Sequence, residues 1–512
     1  DYDYGRINAR SNIDAQINNS LSFTLDLSYR QEEFNRAFVT GGGIENPGNG
    51  LNNLWTDLAT AQPILPTELP DPSLGAAYSG FSQRNPLVLS RRDQLGTYDQ
   101  IDNVFTGRLG LNYAVPFVPG LNLRAEMSIE KLNRGAKTFR NVIDLYSYDP
   151  ETDSYTLEAT NGGRLNVSDD QFRRTQLYPL VSLTYDKTFG DHSIKFLGLA
   201  EQQTRTFSIL EASRGALLTA SIPELFVGST DFQFSNGSSG ADIGRKSVVS
   251  RINYAYKDRY LLEGTFRADG NVRFAPSQRW GYFPSVSAGW VISEEGFFNK
   301  SSTIDFLKIR ASYSQLGDDT ANGLNGYDYL TGYGIQDGDP YLLGNNENFP
   351  RIRTLGLVNP ALSWEVMTLT NFGVEANFFE GRLGVEFDIF RRERDGIIAT
   401  NVEDLPSTFG ANLPVENLNS QESSGFEAAI NFQTRIGQVR IDLSPNISVV
   451  RSKWLEVKSQ EDFEDPDQRR LQELDGQPLN RFVGYRADGL FMTQEEIDAH
   501  EADQDGNGNS TL

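Results

Sequence analysis

The 512-residue chain has no cysteine and two histidines, His192 and His500. Without cysteine there is no disulfide framework, no zinc–thiolate site and no cysteine nucleophile. Two histidines so far apart in sequence leave little material for a histidine-dependent triad or a multi-histidine metal site. No run of about 18 apolar residues occurs, so no transmembrane helix is encoded. A membrane-crossing strand stays open, because it needs only about 9–11 alternating residues. Basic charge is scarce as well: 46 Lys and Arg face 69 Asp and Glu, a formal charge of −23. The basic footprint that nucleic-acid phosphates require is therefore missing. The opening residues, Asp1 to Gly5, carry no initiating Met, no basic segment and no apolar core of a secretory signal. The chain thus reads as a processed or partial piece of something longer.

What is present is alternation. Ile252, Tyr254 and Tyr256 oppose Arg251, Asn253 and Lys257; Tyr260, Leu262 and Phe266 oppose Glu263, Thr265 and Arg267. Val286, Ala288, Trp290 and Ile292 oppose Ser285, Ser287 and Ser293, and Leu307, Ile309, Ala311 and Tyr313 oppose Lys308, Arg310, Ser312 and Ser314. A strand sends successive side chains to opposite faces, so each segment has one apolar and one polar face. The same pattern marks residues 5–17 and 21–29, joined by Asn18-Asn19-Ser20 as a hairpin, and recurs near residues 107–113, 121–130, 181–185, 371–389 and 426–443. About 14 or 15 strands are expected. Very short turns mostly alternate with long irregular connections, at about 31–104, 131–175, 206–246 and 316–365.

That asymmetry, together with Arg, Asp, Glu, Asn and Lys along the polar faces, points to an all-β fold: a transmembrane antiparallel β-barrel with short periplasmic turns and long extracellular loops. A small soluble barrel fills its interior with apolar side chains. Here the apolar set has to face lipid and the charged set a wet lumen, since closure satisfies the backbone in a bilayer. A soluble β-sandwich or propeller array is the rival architecture.

Several residues invite functional readings. Trp280, Tyr282, Phe283, Trp290, Phe297 and Phe298 cluster near strand ends. They form either a membrane girdle, the favoured reading, or a stacking surface for sugar or peptide. Tyr327, Tyr329, Tyr333 and Tyr341, beside Asp318, Asp319, Asp337 and Asp339, could grip a glycan or peptide, or could belong to a solvated loop packed on itself. Asp503, Asp505 and Asn507 fit the first half of a calcium loop, although the twelfth-position carboxylate would fall beyond Leu512. Apart from that possible calcium, no cofactor is indicated. Thr493 to Glu496 reads as a capping box before a short helix. The carboxylate pairs Glu294/Glu295 and Glu422/Glu427 have no nucleophile or base beside them, so no enzyme is expected.

Several blocks in one order resemble the SusC/RagA family of TonB-dependent outer-membrane transporters. They are Tyr256 to Leu261, Arg267 to Phe274, Trp280 to Ser285, Leu307 to Tyr313, Asn359 to Glu365, Thr370 to Val374, Phe390 to Ile397, Leu405 to Thr408, Gly425 to Glu427 and Gly484 to Phe491. The resemblance spans nearly the whole chain. It implies a 22-stranded barrel with an N-terminal plug, a SusD-like lipoprotein as a lid over the outer loops, and the TonB–ExbB–ExbD motor acting on the plug. The implied cargo is an oligosaccharide or a peptide, imported across the outer membrane of a Gram-negative bacterium. Residues 1–512 would be part of one barrel domain, with plug, TonB box and last strands outside this chain. A barrel that docks surface proteins and transports little would fit the same strands.

Overall fold

A computed structural model describes residues 2–38, 58–59, 67–77, 85–161, 163–298, 303–320, 327, 329–343, 347–354, 356–401, 411, 413–460, 463, 465–484, 489–490, 492–493 and 495–496. In chain order the strands are β1 (Tyr2–Gln16), β2 (Leu21–Ala37), β3 (Gly75–Ala76), β4 (Gly96–Ala114), β5 (Leu121–Arg140), β6 (Ile143–Asp149) and β7 (Ser154–Asn161). They continue as β8 (Asn166–Phe189), β9 (His192–Gly215), β10 (Gln233–Tyr256), β11 (Tyr260–Asn271), β12 (Trp280–Val291) and β13 (Ile304–Asp318). The last are β14 (Tyr333–Leu343), β15 (Glu347–Thr354), β16 (Glu365–Phe378), β17 (Leu383–Thr400), β18 (Val415–Ile436), β19 (Val439–Leu443) and β20 (Asn446–Glu456).

Fifteen of these form one antiparallel sheet in the order β1-β2-β4-β5-β8-β9-β10-β11-β12-β13-β16-β17-β18-β19, with β20 also on β18. β19 pairs with Phe432–Ile436 and β20 with Ser420–Ala429 of the same strand. The two therefore stack end to end, and fifteen strands fill fourteen positions. Among the described residues β1 and β20 do not pair with each other, so the sheet is open. A parallel pairing of β3 with β6 joins β6 and β7 into a three-stranded sheet, and β14 with β15 makes a two-stranded one; both lie in the long connections.

Among the described residues no second large sheet accompanies the main one, which leaves a sandwich without its other layer. Val181, Val248, Val286 and Phe266 remain 57%, 51%, 50% and 45% exposed. A water-soluble fold would bury side chains of this size, each worth about 1.5–3 kcal/mol. The opposite face is charged and more enclosed. Its Asp102, Ser247 and Glu365 are buried.

The strands run further than alternation indicates. β2 continues to Ala37, β4 starts at Gly96, β5 reaches Arg140 and β8 starts at Asn166, so the long connections are shorter than expected. β8, β9 and β10 have 24 residues each, about 80 Å of strand. An apolar band about 25 Å tall needs only about ten of them. On β8 the outward apolar series is Leu177, Pro179, Val181, Leu183 and Tyr185; before it the outward positions are Thr175, Arg173, Gln171 and Asp169. Likewise Phe387 and Ile389 of β17 are followed on their own face by Arg391 and Glu393. Beyond the band the outward face turns polar while the inward one mixes Asp102 with an apolar cluster of Tyr98, Leu132, Ala136 and Phe172, so the alternating hydropathy signal fades while the hydrogen-bond ladder goes on.

Candidate functional site

The candidate site is the inner, charged face of the sheet. It is built by strand parity. Asp26 on β2, Arg108 on β4, and Arg124 and Glu126 on β5 share that face because Leu25, Leu109 and Ala125 take the other. Arg108 lies 2.8 Å from Glu126 and 3.8 Å from Asp26, and Arg124 also pairs with Glu126. Across the sheet, Lys308 and Arg310 of β13 reach Glu375 of β16 at 3.2 and 3.1 Å, and Arg310 meets Asp388 of β17 at 2.7 Å. The first ladder alternates in sign across β2, β4 and β5. In the second, Glu375 faces Glu386 across β16 and β17, and the cations Lys308 and Arg310 offset that acidic pairing.

Near the rim that carries the long connections, the wall is tied more tightly. The Tyr98 hydroxyl donates to Gln100 at 2.6 Å, the Gln100 amide donates to Asp102 at 2.8 Å, and Arg134 grips Asp102 through Nε and Nη2, both at 2.7 Å. The second network surrounds Asp318 and Asp319. Arg245 of β10 donates to Asp319 at 2.6 Å, and Asn271 of β11 donates to its other oxygen. Arg394 of β17 donates to Asp318 at 3.0 Å and to Glu365 at 2.7 Å, while Glu365 also accepts the Ile398 N–H at 2.9 Å. Beside this network Phe274, Phe283, Leu362, Trp364 and Ile398 form an apolar cluster. The Trp364 indole donates to the Arg279 carbonyl at 3.1 Å. Both ends of the segment between β13 and β16 are thereby clamped to the wall. Asp318 and Asp319, expected next to the tyrosines as ligand grips, are instead occupied by arginines.

A cavity of about 570 Å³ opens beside the clamp, lined by Glu201, Arg245, Arg267, Asp269, Asp319 and Trp364. Arg267 is held by Asp269 at 2.8 and 2.9 Å. The cavity therefore presents fixed guanidinium and carboxylate groups beside one indole, a surface for hydroxyl- or amide-bearing molecules.

The first eleven residues of β8 stand beyond the apolar band. There Asp170 has its carboxyl pushed up to about 6, chiefly by burial and next by the Glu211 carboxylate, despite a hydrogen bond from Ser168.

The six aromatics expected at strand ends separate. Trp280 and Tyr282 are exposed at the long-connection end of β12. Trp290 is at the other end, its ring 6.4 Å from that of Phe297, with Phe298 half-buried nearby. Phe283 departs from the expectation. It shares the parity of Ser285 and Ser287, is 4% exposed, and packs against Trp364 at 5.5 Å. It belongs to the inner wall and not to a lipid-facing girdle.

Of the loop residues, Tyr327 and Tyr329 have rings 6.3 Å apart and Tyr333 is exposed at the start of β14. Asp337 and Tyr341 lie on β14, but their side chains are outside the described residues, as are Asp503, Asp505 and Asn507 entirely. The expected capping box is visible in part: Glu496 N–H donates to Thr493 at 3.2 Å, and Glu496 accepts from Met492 N–H at 2.7 Å. Glu295 and Glu422 are structural acceptors. Glu295 takes the Tyr260 hydroxyl at 2.5 Å and the Trp290 indole at 3.1 Å, and Glu422 pairs with Arg391 at 2.8 Å. Asp318 and Asp319 drew notice in the sequence, but their partners Arg245, Asn271 and Arg394 did not, because they are dozens of residues away and share no local pattern with them.

A curved antiparallel sheet with apolar residues outside and charge ladders inside is the wall of a transmembrane β-barrel. Residues 129–493 match the family model described as TonB dependent receptor-like, beta-barrel. The chain belongs to that family of outer-membrane receptors. It is 26% identical over 527 residues to TonB-dependent receptor P26 of Formosa agariphila, covering 96% of this chain and 47% of the relative. To TonB-dependent receptor SusC of Bacteroides thetaiotaomicron it is 25% identical over 455 residues, covering 84% and 41%. Among solved structures, the RagAB peptide transporter superposes with a TM-score of 0.67 at 16% identity, over 89% of this chain and 47% of that one. The chain spans about half the length of the curated relatives it matches.

Proposed function

We infer that the chain forms part of the wall of an outer-membrane importer for a nutrient too large for passive pores, an oligosaccharide or a peptide. The long connections face the medium and the short turns face the periplasm. A SusD-like lipoprotein covers the long-connection rim, and the TonB–ExbB–ExbD motor acts through a plug held in the lumen. The two groups of aromatics, Trp280 with Tyr282 and Trp290 with Phe297 and Phe298, mark the two headgroup levels of the bilayer. Tyr327, Tyr329, Tyr333, Asp337 and Tyr341 sit in the connection that a cargo meets first, and Asp503, Asp505 and Asn507 remain a calcium candidate.

The observation that carries this reading is the inner wall. Its guanidinium and carboxylate groups are held in fixed pairs and leave a polar cavity, which suits passage of a hydrated, hydrogen-bonding cargo. Family membership and the likeness to SusC support import, and the solved RagAB transporter, whose cargo is peptide, supports the fold.

The test is purification of the full-length receptor from detergent-solubilised outer membranes, with uptake of labelled oligosaccharides and peptides by cells carrying or lacking it. Co-elution of a SusD-like lipoprotein and receptor-dependent uptake are expected. Unchanged uptake of every cargo in cells lacking the receptor would overturn the reading.

A further inference from the structure

The outward face carries a feature that import does not use. A groove of about 510 Å³ is lined by Leu109, Leu111, Met127, Val181, Val248 and Trp280, with small Ala125 and Ala200 in its floor. These outward side chains share one parity across β4, β5, β8, β9 and β10. Trp280 comes from β12, and its indole lies over Gly270 of β11, where a Cβ would stand 3.0 Å from the ring.

Charge on this face is one-sided. Lys131, Arg173 and Lys246 are exposed, and none makes an ion pair or side-chain hydrogen bond among the described residues. Their ladder partners place them outward: Lys131 opposite Phe105, Arg173 opposite Asn133, Lys246 opposite Gln202. The outward positions of residues 121–131, 173–185, 196–208 and 244–252 include no carboxylate, whereas the inward ones of the same segments include Glu126, Glu130 and Glu201. The nearest outward acid on β8 is Asp169, four residues past Arg173. In a chain with 69 acidic residues that arrangement calls for an anionic partner.

Height fixes which one. Lys246 stands ten residues along β10 from Tyr256 at the short-turn rim. That is about 33 Å of strand, or about 25 Å of height at a tilt of about 40°, the full thickness of the apolar band. The groove thus descends from a cation at the outer headgroup level, and Lys131 lies about 20 Å from Lys246 by strand spacing. We propose that this groove, headed by Lys246 with Lys131 beside it, holds a membrane lipid with an anionic phosphate headgroup, its acyl chains against Ala125, Ala200 and Val248. Arg173, sixteen residues from Phe189 at the short-turn rim, stands above the headgroup level. The lipid would anchor the outer rim. This rests on the reading of the chain as a bilayer-spanning wall.

The test uses the full-length receptor in a neutral detergent, with co-purified lipid identified by native mass spectrometry and counted as phosphorus per protein. It is repeated after reconstitution in phosphatidylcholine vesicles with and without phosphatidylglycerol. The unsubstituted receptor should retain anionic lipid selectively. Each of Lys131→Gln and Lys246→Gln should weaken retention about fivefold, as expected for one basic residue near an anionic surface, whereas Arg173→Gln, above that level, should leave it unchanged. Ala200→Trp, which fills the groove and leaves the charges, should also lower retention. Heat-modifiable migration on gels checks that every variant remains a folded barrel. Equal retention by the Lys131→Gln/Lys246→Gln double variant, or retention without preference for anionic lipid, overturns the proposal and leaves the barrel reading standing. Failure of the unsubstituted receptor to enter vesicles at all overturns both.

Discussion

Arg245 and Asp319 lie 2.6 Å apart, joining the wall strand β10 to the first residue after β13. The Asp319 side chain is 8% exposed and that of Arg245 32%, so the pair is half in solvent on one side only.

Asp319→Ala should cost more than Arg245→Ala, because it strands a buried Asn271 amide and a guanidinium together. We expect about 3 kcal/mol against about 1–2 kcal/mol, below the full penalty for a buried pair because Arg245 is part-exposed. Hydrogen exchange should accelerate at Leu316–Asp319 and Leu362–Val366 in both variants. Unchanged exchange there would show that the clamp does not hold the segment.

Gly317 has no room for a methyl group. An added Cβ would fall 2.0 Å from the Phe283 ring, and that ring is walled by Trp364. Gly317→Ala should destabilise by about 2 kcal/mol through overpacking, and Phe283→Ala by about 3 kcal/mol through the cavity it leaves. The double variant should lose clearly less than the sum, as urea unfolding of the full receptor would reveal. Strict additivity would mean that the two sites do not touch.

Asp170 makes stability depend on pH. Its folded-state value of about 6 lies above the ordinary 3.8, so between these the folded protein binds the extra proton. Stability from this group is therefore present at low pH and is lost as pH rises through about 4 to 6. After allowance for partial exposure, Asp170→Asn should raise stability at pH 7.5 by about 1–2 kcal/mol and do nothing near pH 4. Thermal midpoints of both proteins across that range decide it. An equal gain at both pH values would assign the effect to packing.

Glu295 gathers the Tyr260 hydroxyl, the Trp290 indole and Arg259 at the short-turn rim. Glu295→Ala should lower stability by leaving these donors without their acceptor, and should make Trp290 more accessible to acrylamide quenching. Glu295→Gln, which keeps an acceptor, should recover most of the loss. No difference between Ala and Gln would reduce the carboxylate to a bystander.

Much of the wall was legible because Leu123, Met127, Val181 and Val286 alternate with polar neighbours where the sheet crosses lipid. That one-sided environment imposes a period of two. Past the lipid the constraint lifts. The run Asn166 to Gln176 is polar but for Val167 and Phe172, one on each face, too few to set up an alternation that separates strand from loop. Phe283 was placed with the girdle by its neighbours Trp280 and Tyr282, although its parity with Ser285 and Ser287 points inward. Position on the strand decided its surroundings, and aromatic clustering could not. Asp318 faces Glu365 in the β13–β16 ladder and Arg394 lies on the next strand, β17, so the clamp depends on the pairing of strands dozens of residues apart, which no local pattern records.

The 24-residue strands have a mechanical corollary. Taken at a tilt of about 40°, they lift the long-connection rim roughly 35 Å clear of the apolar band. A molecule diffusing in from that side meets a stiff hydrogen-bonded collar well before it meets lipid. Anything seated on the collar is levered far from the bilayer, so sideways force on it is resisted by the ladder of the whole sheet instead of by single loops.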